Sequence, residues 1–176
     1  MDDHKIIQKL FNIIREYDLF RNLRILVICI LISGCDIFDP KLPLEPLLSA
    51  PEQIEIDNRK YILETFLWRD FMPIAPPDGQ PLISLIWVTA IDSLPFPSSI
   101  DATKLWVINE EEVLETKFTD EERPQYPQRK HQLEKVARNG PKWGPGIYVD
   151  VVVRIIDGRR NFYLLRASNQ YISRTD

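Results

Sequence analysis

The segment IYVDVVVRIIDGRRNFYLLRAS, residues 147–168, gives the clearest indication of how this chain folds. Two runs rich in β-branched and aromatic residues flank the dipeptide Asp157-Gly158. Such runs favour strands, and Asp-Gly favours a type I′ turn, because both central residues of that turn need positive φ. We therefore predict a β-hairpin in this part of the chain.

Similar runs, separated by turn residues, occur upstream of the hairpin. The candidate strands lie in residues 54–71, 82–91, 103–109 and 112–118, and residues 131–138 fit either a short strand or a helical turn. No long helical pattern interrupts them, which argues against a βαβ architecture. The pattern predicts a mainly β domain over residues 54–176, an antiparallel sandwich of about seven strands.

The block WGPGIYV, residues 143–149, precedes the strand that enters the Asp-Gly turn. It resembles the closing strands of bacterial immunoglobulin-like domains, where a Pro-Gly-x-Tyr segment commonly opens the penultimate strand. The resemblance covers about 30 residues and implies an immunoglobulin-like fold. By itself it implies no function.

An unbroken apolar run, Ile25 to Ile32, follows the basic residues Arg21 and Arg24 near the N-terminus. Eight residues are far fewer than the roughly 20 that cross a bilayer. The run does match the apolar region of a secretory signal peptide. Apolar residues recur at helical spacing further upstream, between Ile6 and Tyr17, which predicts an amphipathic helix there. This extension is explained either by a start codon further in or by a segment lying on the inner membrane face during export.

The apolar run ends in Ile32-Ser33-Gly34-Cys35, which resembles the lipobox of bacterial lipoproteins. The resemblance implies that residues 1–34 are a signal peptide and that Cys35 is acylated after they are removed. It also implies a lipid-anchored protein of the cell membrane or outer membrane, with its domain facing the periplasm or the exterior. A diacylated cysteine holds a protein on a membrane without a spanning helix.

Residues 35–53 contain Pro40, Pro43, Pro46 and Pro51. Prolines at this spacing oppose helix and interior strand and favour extended polyproline chain, which predicts a tether between anchor and domain. In the alternative interpretation, the leucines of this segment pack on the domain as an extended edge.

Charge and composition exclude several classes of function. The net charge is −4, and residues 35–176 alone carry 17 basic and 22 acidic side chains, a net charge of −5. This sign opposes nucleic-acid binding. His131 is the one histidine after residue 34, and neither cysteine lies beyond Cys35, so we expect no disulfide framework, no metal site, no cofactor and no catalytic activity. The acidic triplets at 110–112 and 120–122 are expected to be solvated.

The remaining candidates are aromatic and proline-rich loops. Trp143 lies between glycines and prolines, Pro76 and Pro77 lie in the loop FMPIAPPDGQP at 71–81, and Tyr126 lies between two prolines. Trp87 and Trp106 are expected in the core. We predict a non-catalytic envelope protein that serves as an interaction or structural module, with an unidentified envelope protein or glycan as its partner. The alternative is a carbohydrate-binding or protease-inhibitor-like sandwich that uses the Trp143 loop.

Overall fold

A computed structural model describes residues 43–119 and 129–176 of the chain. They form one short helix and eight strands, so the mainly β prediction is confirmed. The elements are α1 (Leu44–Leu48), β1 (Gln53–Ile56), β2 (Arg59–Asp70), β3 (Ile83–Ala90), β4 (Asp101–Asn109), β5 (Glu112–Thr116), β6 (Gln132–Ala137), β7 (Tyr148–Ile156) and β8 (Phe162–Thr175).

The eight strands form a curled sheet in the order β5-β4-β7-β8-β2-β3-β6, with β1 paired to β2. The long strand β8 belongs to both halves of this sheet: its first part pairs with β7 and its last residues pair with β2. The β2–β8 pairing is parallel, from Leu67↔Ile172 to Asp70↔Thr175, whereas the other pairings are antiparallel. The sheet is therefore mixed, with one parallel pairing among antiparallel ones.

The inner faces of the two halves enclose the main hydrophobic core. Alternate residues of β2 and β3 are buried, as are alternate residues of β7, because successive side chains of a strand point to opposite faces. Buried members from both halves include Tyr61, Leu67, Ile86, Val151 and Ile172. This packing of one half on the other resembles that of a β-sandwich.

Two turns differ from the sequence-based expectation. Residues 54–71 were predicted as one β-rich run, but Asp57 and Asn58 both adopt positive φ and divide the run into β1 and β2. Positive φ at both central residues is what a type I′ turn requires. The predicted Asp157-Gly158 hairpin exists, but its connection is longer: Ile156 pairs with Phe162, and positive φ occurs at Arg160.

The side chain of Asp157 organises this longer connection. Its Oδ1 accepts hydrogen bonds from the backbone N–H groups of Arg159 and Asn161, both at 2.9 Å. Its Oδ2 accepts from Asn161 Nδ2 at 2.9 Å and from the Tyr163 hydroxyl at 3.2 Å. The aspartate therefore replaces the tight turn with a loop built around its own carboxylate.

Helix α1 replaces the later part of the polyproline tether predicted at 35–53, and residues 35–42 lie outside the described residues. Leu47 is fully buried and forms a second cluster with Trp106, Ile108 and Val152, on the outer face of β4 and β7. Prolines are tolerated in the first turn of a helix, where the missing N–H has no intrahelical partner. Burial of Leu47 against this apolar face stabilises a helix too short to form alone. The leucines thus pack on the domain, but as a helix and not as an extended edge.

The chain continues from α1 along β8. The backbone N–H of Arg166 donates to the Pro51 carbonyl at 2.9 Å, and its guanidinium donates to the Leu48 carbonyl. Residues 44–53 therefore belong to the folded domain.

Two other expectations have different outcomes. Trp106 is buried as predicted, but Trp87 is half-buried on the outer face of β3 and belongs to neither core cluster. The predicted signal segment and Cys35 lie outside the described residues, and so does Tyr126.

Replacing Leu47 with alanine tests whether α1 is part of the fold. Loss of a fully buried leucine is expected to lower the free energy of unfolding by about 2–5 kcal/mol. Glu45→Ala, on the exposed side of the same helix, is the matched control, with an expected change within about 0.5 kcal/mol. Urea unfolding measures both. Equal effects of the two variants would mean that the helix does not contribute to the folded state.

Asp157 predicts a pH dependence of stability. Hydrogen bonds, above all from the Asn161 side chain, hold the pKa of Asp157 below its ordinary value. Because the unfolded-state pKa is about 3.9, the ionised carboxylate stabilises the folded protein above that pH, and this contribution is lost as the pH falls through the lower folded-state pKa. Asp157→Asn should therefore be less stable than wild type at pH 7, with a difference that shrinks toward pH 2. Thermal unfolding across this range provides the measurement, and a constant difference would contradict the assignment.

Candidate functional site

The structure brings two of the predicted loops together. Pro76 and Pro77 lie in the β2–β3 loop, residues 71–82, and Trp143 lies in the β6–β7 loop, residues 138–147. Both proline rings are exposed. A single buried side chain, that of Arg69 near the end of β2, contacts both loops. The two loops together form the candidate functional site.

Arg69 is 3% exposed and donates hydrogen bonds to four backbone carbonyls. In the β2–β3 loop, its Nε donates to Gln80 O at 2.8 Å and its Nη2 donates to Asp78 O. In the β6–β7 loop, its Nη1 donates to Lys142 O at 3.0 Å and to Trp143 O at 3.1 Å. The planar guanidinium offers five donors in a fixed arrangement, so one side chain holds both loops in place.

Other contacts reinforce this link. Lys142 Nζ lies 2.5 Å from Asp78 Oδ2, and its hydrogen bond lowers the pKa of that carboxyl group. This pair is exposed, so it contributes little energy on its own. Gly79 has φ +76°, and a Cβ there would lie 2.6 Å from the Phe71 ring. Arg174 covers the same ring, with its guanidinium carbon 3.9 Å from the ring centroid. The base of the β2–β3 loop is therefore closely packed.

The tip of the loop projects apolar side chains into solvent. Ile74 is 92% exposed and Met72 is 47% exposed. Asp70 Oδ1 accepts a hydrogen bond from Met72 N at 2.9 Å, and Ala75 N donates to Met72 O at 2.7 Å. A second turn follows, in which Gly79 N donates to Pro76 O at 2.8 Å. These turns fix the loop conformation, so Ile74 is presented on a preformed support.

Trp143 is more enclosed than an isolated stacking platform. Its ring is half-buried and packs against the main core, and its Nε1 donates to Glu112 Oε2 at 2.8 Å. It closes this end of the core beside the β2–β3 loop that Arg69 holds.

Sequence analysis did not single out Ile74 or Arg69. The features that could have indicated them are an isoleucine within a proline-rich loop and an arginine at a β2 position where the alternation predicts an inward side chain.

The acidic triplets and His131 have different positions in the structure. Glu110, Glu111 and Glu112 are exposed at the β4–β5 turn, and the 120–122 triplet lies outside the described residues. His131 is half-buried just before β6. Residues 43–119 and 129–176 contain no group of three or more histidine, cysteine or acidic side chains placed to hold a metal ion.

A cavity of about 410 Å³ lies elsewhere, between the β3–β4 loop and the start of β6. Phe96, Ile100 and Leu133 line it, together with Arg129 and Lys130. Because the β3–β4 loop and the β2–β3 loop are at opposite ends of β3, this cavity is separate from the Arg69 site.

Substitution of Arg69 tests its role in fixing the loops. Arg69→Met keeps the apolar stem but removes the buried donor from four backbone carbonyls, so we expect a loss of about 2–4 kcal/mol in the free energy of unfolding. Amide hydrogen exchange should accelerate in residues 71–81 and 141–146. Arg69→Lys, which keeps the charge but not the planar donor arrangement, should restore this protection only in part. Unchanged exchange in both loops would show that other contacts hold them.

Comparison of the chain with protein-family models, curated proteins and solved structures gave no match. No helix among the described residues is long and apolar enough to cross a membrane. What the domain does is therefore inferred from its own surfaces and from the sequence that precedes it.

Proposed function

We propose that this chain is a lipid-anchored protein of the bacterial cell envelope whose domain binds a protein partner through the β2–β3 loop. It has no catalytic role and does not bind nucleic acid. Cys35 carries the lipid, and the domain faces the periplasm or the exterior. The exposure of Ile74 on a loop held by Arg69 is the observation that carries the binding function.

The anchor is supported by sequence. Ile32-Ser33-Gly34-Cys35 follows an apolar run with a basic flank, in the order found in lipoprotein signals. The described domain begins soon after it, because α1 starts at Leu44. A folded domain directly behind an acylated cysteine is the arrangement expected of a lipoprotein.

The binding role is supported by the cost of exposing apolar surface. A side chain of isoleucine size stabilises a complex by roughly 1.5–3 kcal/mol when it is transferred from water into a fitting pocket. The loop already has a fixed conformation, so little ordering entropy is lost when a partner binds. A preformed convex loop with an apolar tip therefore suits a partner with an apolar cleft.

We also propose that the domain is immunoglobulin-like. Its strand order supports this: β5-β4-β7-β8 corresponds to the C′-C-F-G order of one immunoglobulin sheet, and β2-β3-β6 to the A-B-E order of the other. The segment 143–149, whose resemblance implied this fold, leads into β7, the strand that would be F.

A protease is one partner that the loop would suit. A rigid, exposed loop can occupy a substrate cleft without the entropy loss of a flexible peptide. Carbohydrate binding through Trp143 has less support, because the ring is half-buried and its N–H already donates to Glu112.

Mass measurement and site-specific crosslinking test the proposal. Protein from the membrane fraction of a bacterial host should have the mass of residues 35–176 plus acyl groups, and Cys35→Ala should lose both the acyl mass and the membrane residence. A photo-crosslinking residue at position 74 should then give a discrete protein adduct in that fraction. The matched control is position 94, because Leu94 is 57% exposed on the loop at the other end of β3.

Two results would contradict the proposal separately. An unmodified, full-length, soluble product would remove the lipid anchor. Equal crosslinking from positions 74 and 94, or none from position 74, would remove the β2–β3 loop as the binding surface.

A further inference from the structure

One face of the curled sheet has no covering element among the described residues. Helix α1 covers the outer face of β4 and β7. The outer face of β2, β3 and β6 carries Ile62, Phe66, Trp68, Ile83, Leu85 and Trp87, and none of these side chains belongs to either hydrophobic cluster. Exposed apolar surface of this kind commonly marks an interaction site.

The pairing of the three strands arranges this outer face in four rows. In chain order along β2, the rows are Ile62–Thr89–Gln132, Glu64–Trp87–Glu134, Phe66–Leu85–Val136 and Trp68–Ile83. The first two rows are mainly polar around Trp87, and the last two are apolar. Within the apolar rows Val136 is buried, at 3% exposure, and Phe66 is the most exposed side chain. Lys60 is the next outward position of β2 beyond Ile62, and it is exposed. We call this surface the β2–β3–β6 face.

The apolar rows present aromatic rings to solvent. Phe66 is 45% exposed and stacks on half-buried Trp68, with ring centroids 5.2 Å apart. Leu85 and Ile83 lie opposite them on β3. The rings are thus held in place before anything binds.

The polar rows hold two carboxylates on either side of Trp87. Glu64 Oε2 accepts hydrogen bonds from Thr89 Oγ1 at 2.5 Å and from Gln132 Nε2 at 2.9 Å. Glu134 Oε2 accepts from Trp87 Nε1 at 2.6 Å. The donors to Glu64 are neutral, and they orient its carboxylate beside the indole. An aromatic ring beside a carboxylate favours a cation, through charge attraction and cation–π contact.

A second copy of the chain fits this face poorly. Seven residues of strand at roughly 3.3 Å each, across three strands about 4.8 Å apart, give an area of roughly 300 Å². A stable interface buries about 800 Å² on each partner.

We propose that the β2–β3–β6 face binds an extended, apolar segment of a partner polypeptide that carries a lysine or arginine. The apolar side chains of the segment cover Phe66 and Leu85, and its cation sits beside Glu64 and Trp87. This surface is separate from the tip of the β2–β3 loop, so the inference does not depend on the function proposed for that loop.

Peptide titration of the folded domain tests this. The probe is an eight-residue peptide of alternating leucine and lysine, compared with a leucine–glutamate peptide and a serine–lysine peptide of equal length. The leucine–lysine peptide should bind saturably and shift backbone resonances of β2, β3 and β6, and the other two should bind at least tenfold more weakly. Tryptophan fluorescence gives an independent binding curve.

Point variants locate the two parts of the contact. Glu64→Gln should weaken binding about three- to fivefold, as expected for loss of one exposed charge pair. Phe66→Ser should weaken it about tenfold or more, through loss of apolar contact. Both side chains are exposed, so the variants should remain folded, which their NMR spectra verify. Glu111→Gln, at an exposed carboxylate on the β4–β5 turn, and Leu94→Ser, on the exposed β3–β4 loop, should leave binding unchanged.

Several outcomes would overturn the proposal. Equal binding of the leucine–glutamate peptide would show that no cation is recognised, and shifts confined to other strands would show that this face is not the site. Shifts of β2, β3 and β6 by chitotetraose and not by the peptide would assign the face to a glycan. A dimer in sedimentation that Phe66→Asp dissociates would assign it to a second copy.

Discussion

The parallel pairing of β2 with the last residues of β8 is the constraint on which the rest of the domain depends. β8 first completes one half of the sheet beside β7 and then, from Ile172 onward, pairs with β2 in the other half. Because β8 continues from one half of the sheet into the other, one half folds over the other and encloses Leu67, Ile86 and Val151 between them. It also places Arg69 at the end of the core, where two loops converge.

Much of the fold could be predicted from sequence, because β-branched and aromatic runs mark strands whatever their partners. The turns and the helix could not. The turn at Asp57 and Asn58 was not predicted, because the apolar residues on either side of it form one continuous strand-favouring pattern. Helix α1 forms although the prolines of its segment disfavour a helix. Burial of Leu47 beside Trp106 overrides that local preference. Trp106 lies far along the chain, and short-range patterns do not report such contacts.

The candidate site, like the fold, could be predicted from sequence only in part. The proline-rich loop and the Trp143 loop were both singled out from sequence, but their proximity depends on Arg69, whose partners are carbonyl groups of distant residues. Because every residue has a backbone carbonyl, the side chains of a segment do not indicate which carbonyls will accept hydrogen bonds from Arg69. Likewise, the enclosure of Trp143 depends on Glu112, on the far side of a long connection. Residue type singled out the two loops, and only the tertiary structure showed how each is held in place.

The Arg69 contacts determine which positions of this surface can vary in sequence during evolution. Because the guanidinium binds main-chain carbonyls, it places no demand on the side chains of Asp78, Gln80, Lys142 or Trp143 for those bonds. Any residue that keeps the backbone path satisfies it, and Gly79 is the position that allows least variation. The loop tip can therefore diversify while its support stays constant. In this respect the domain is a scaffold whose loop tip can be substituted without redesign of the core.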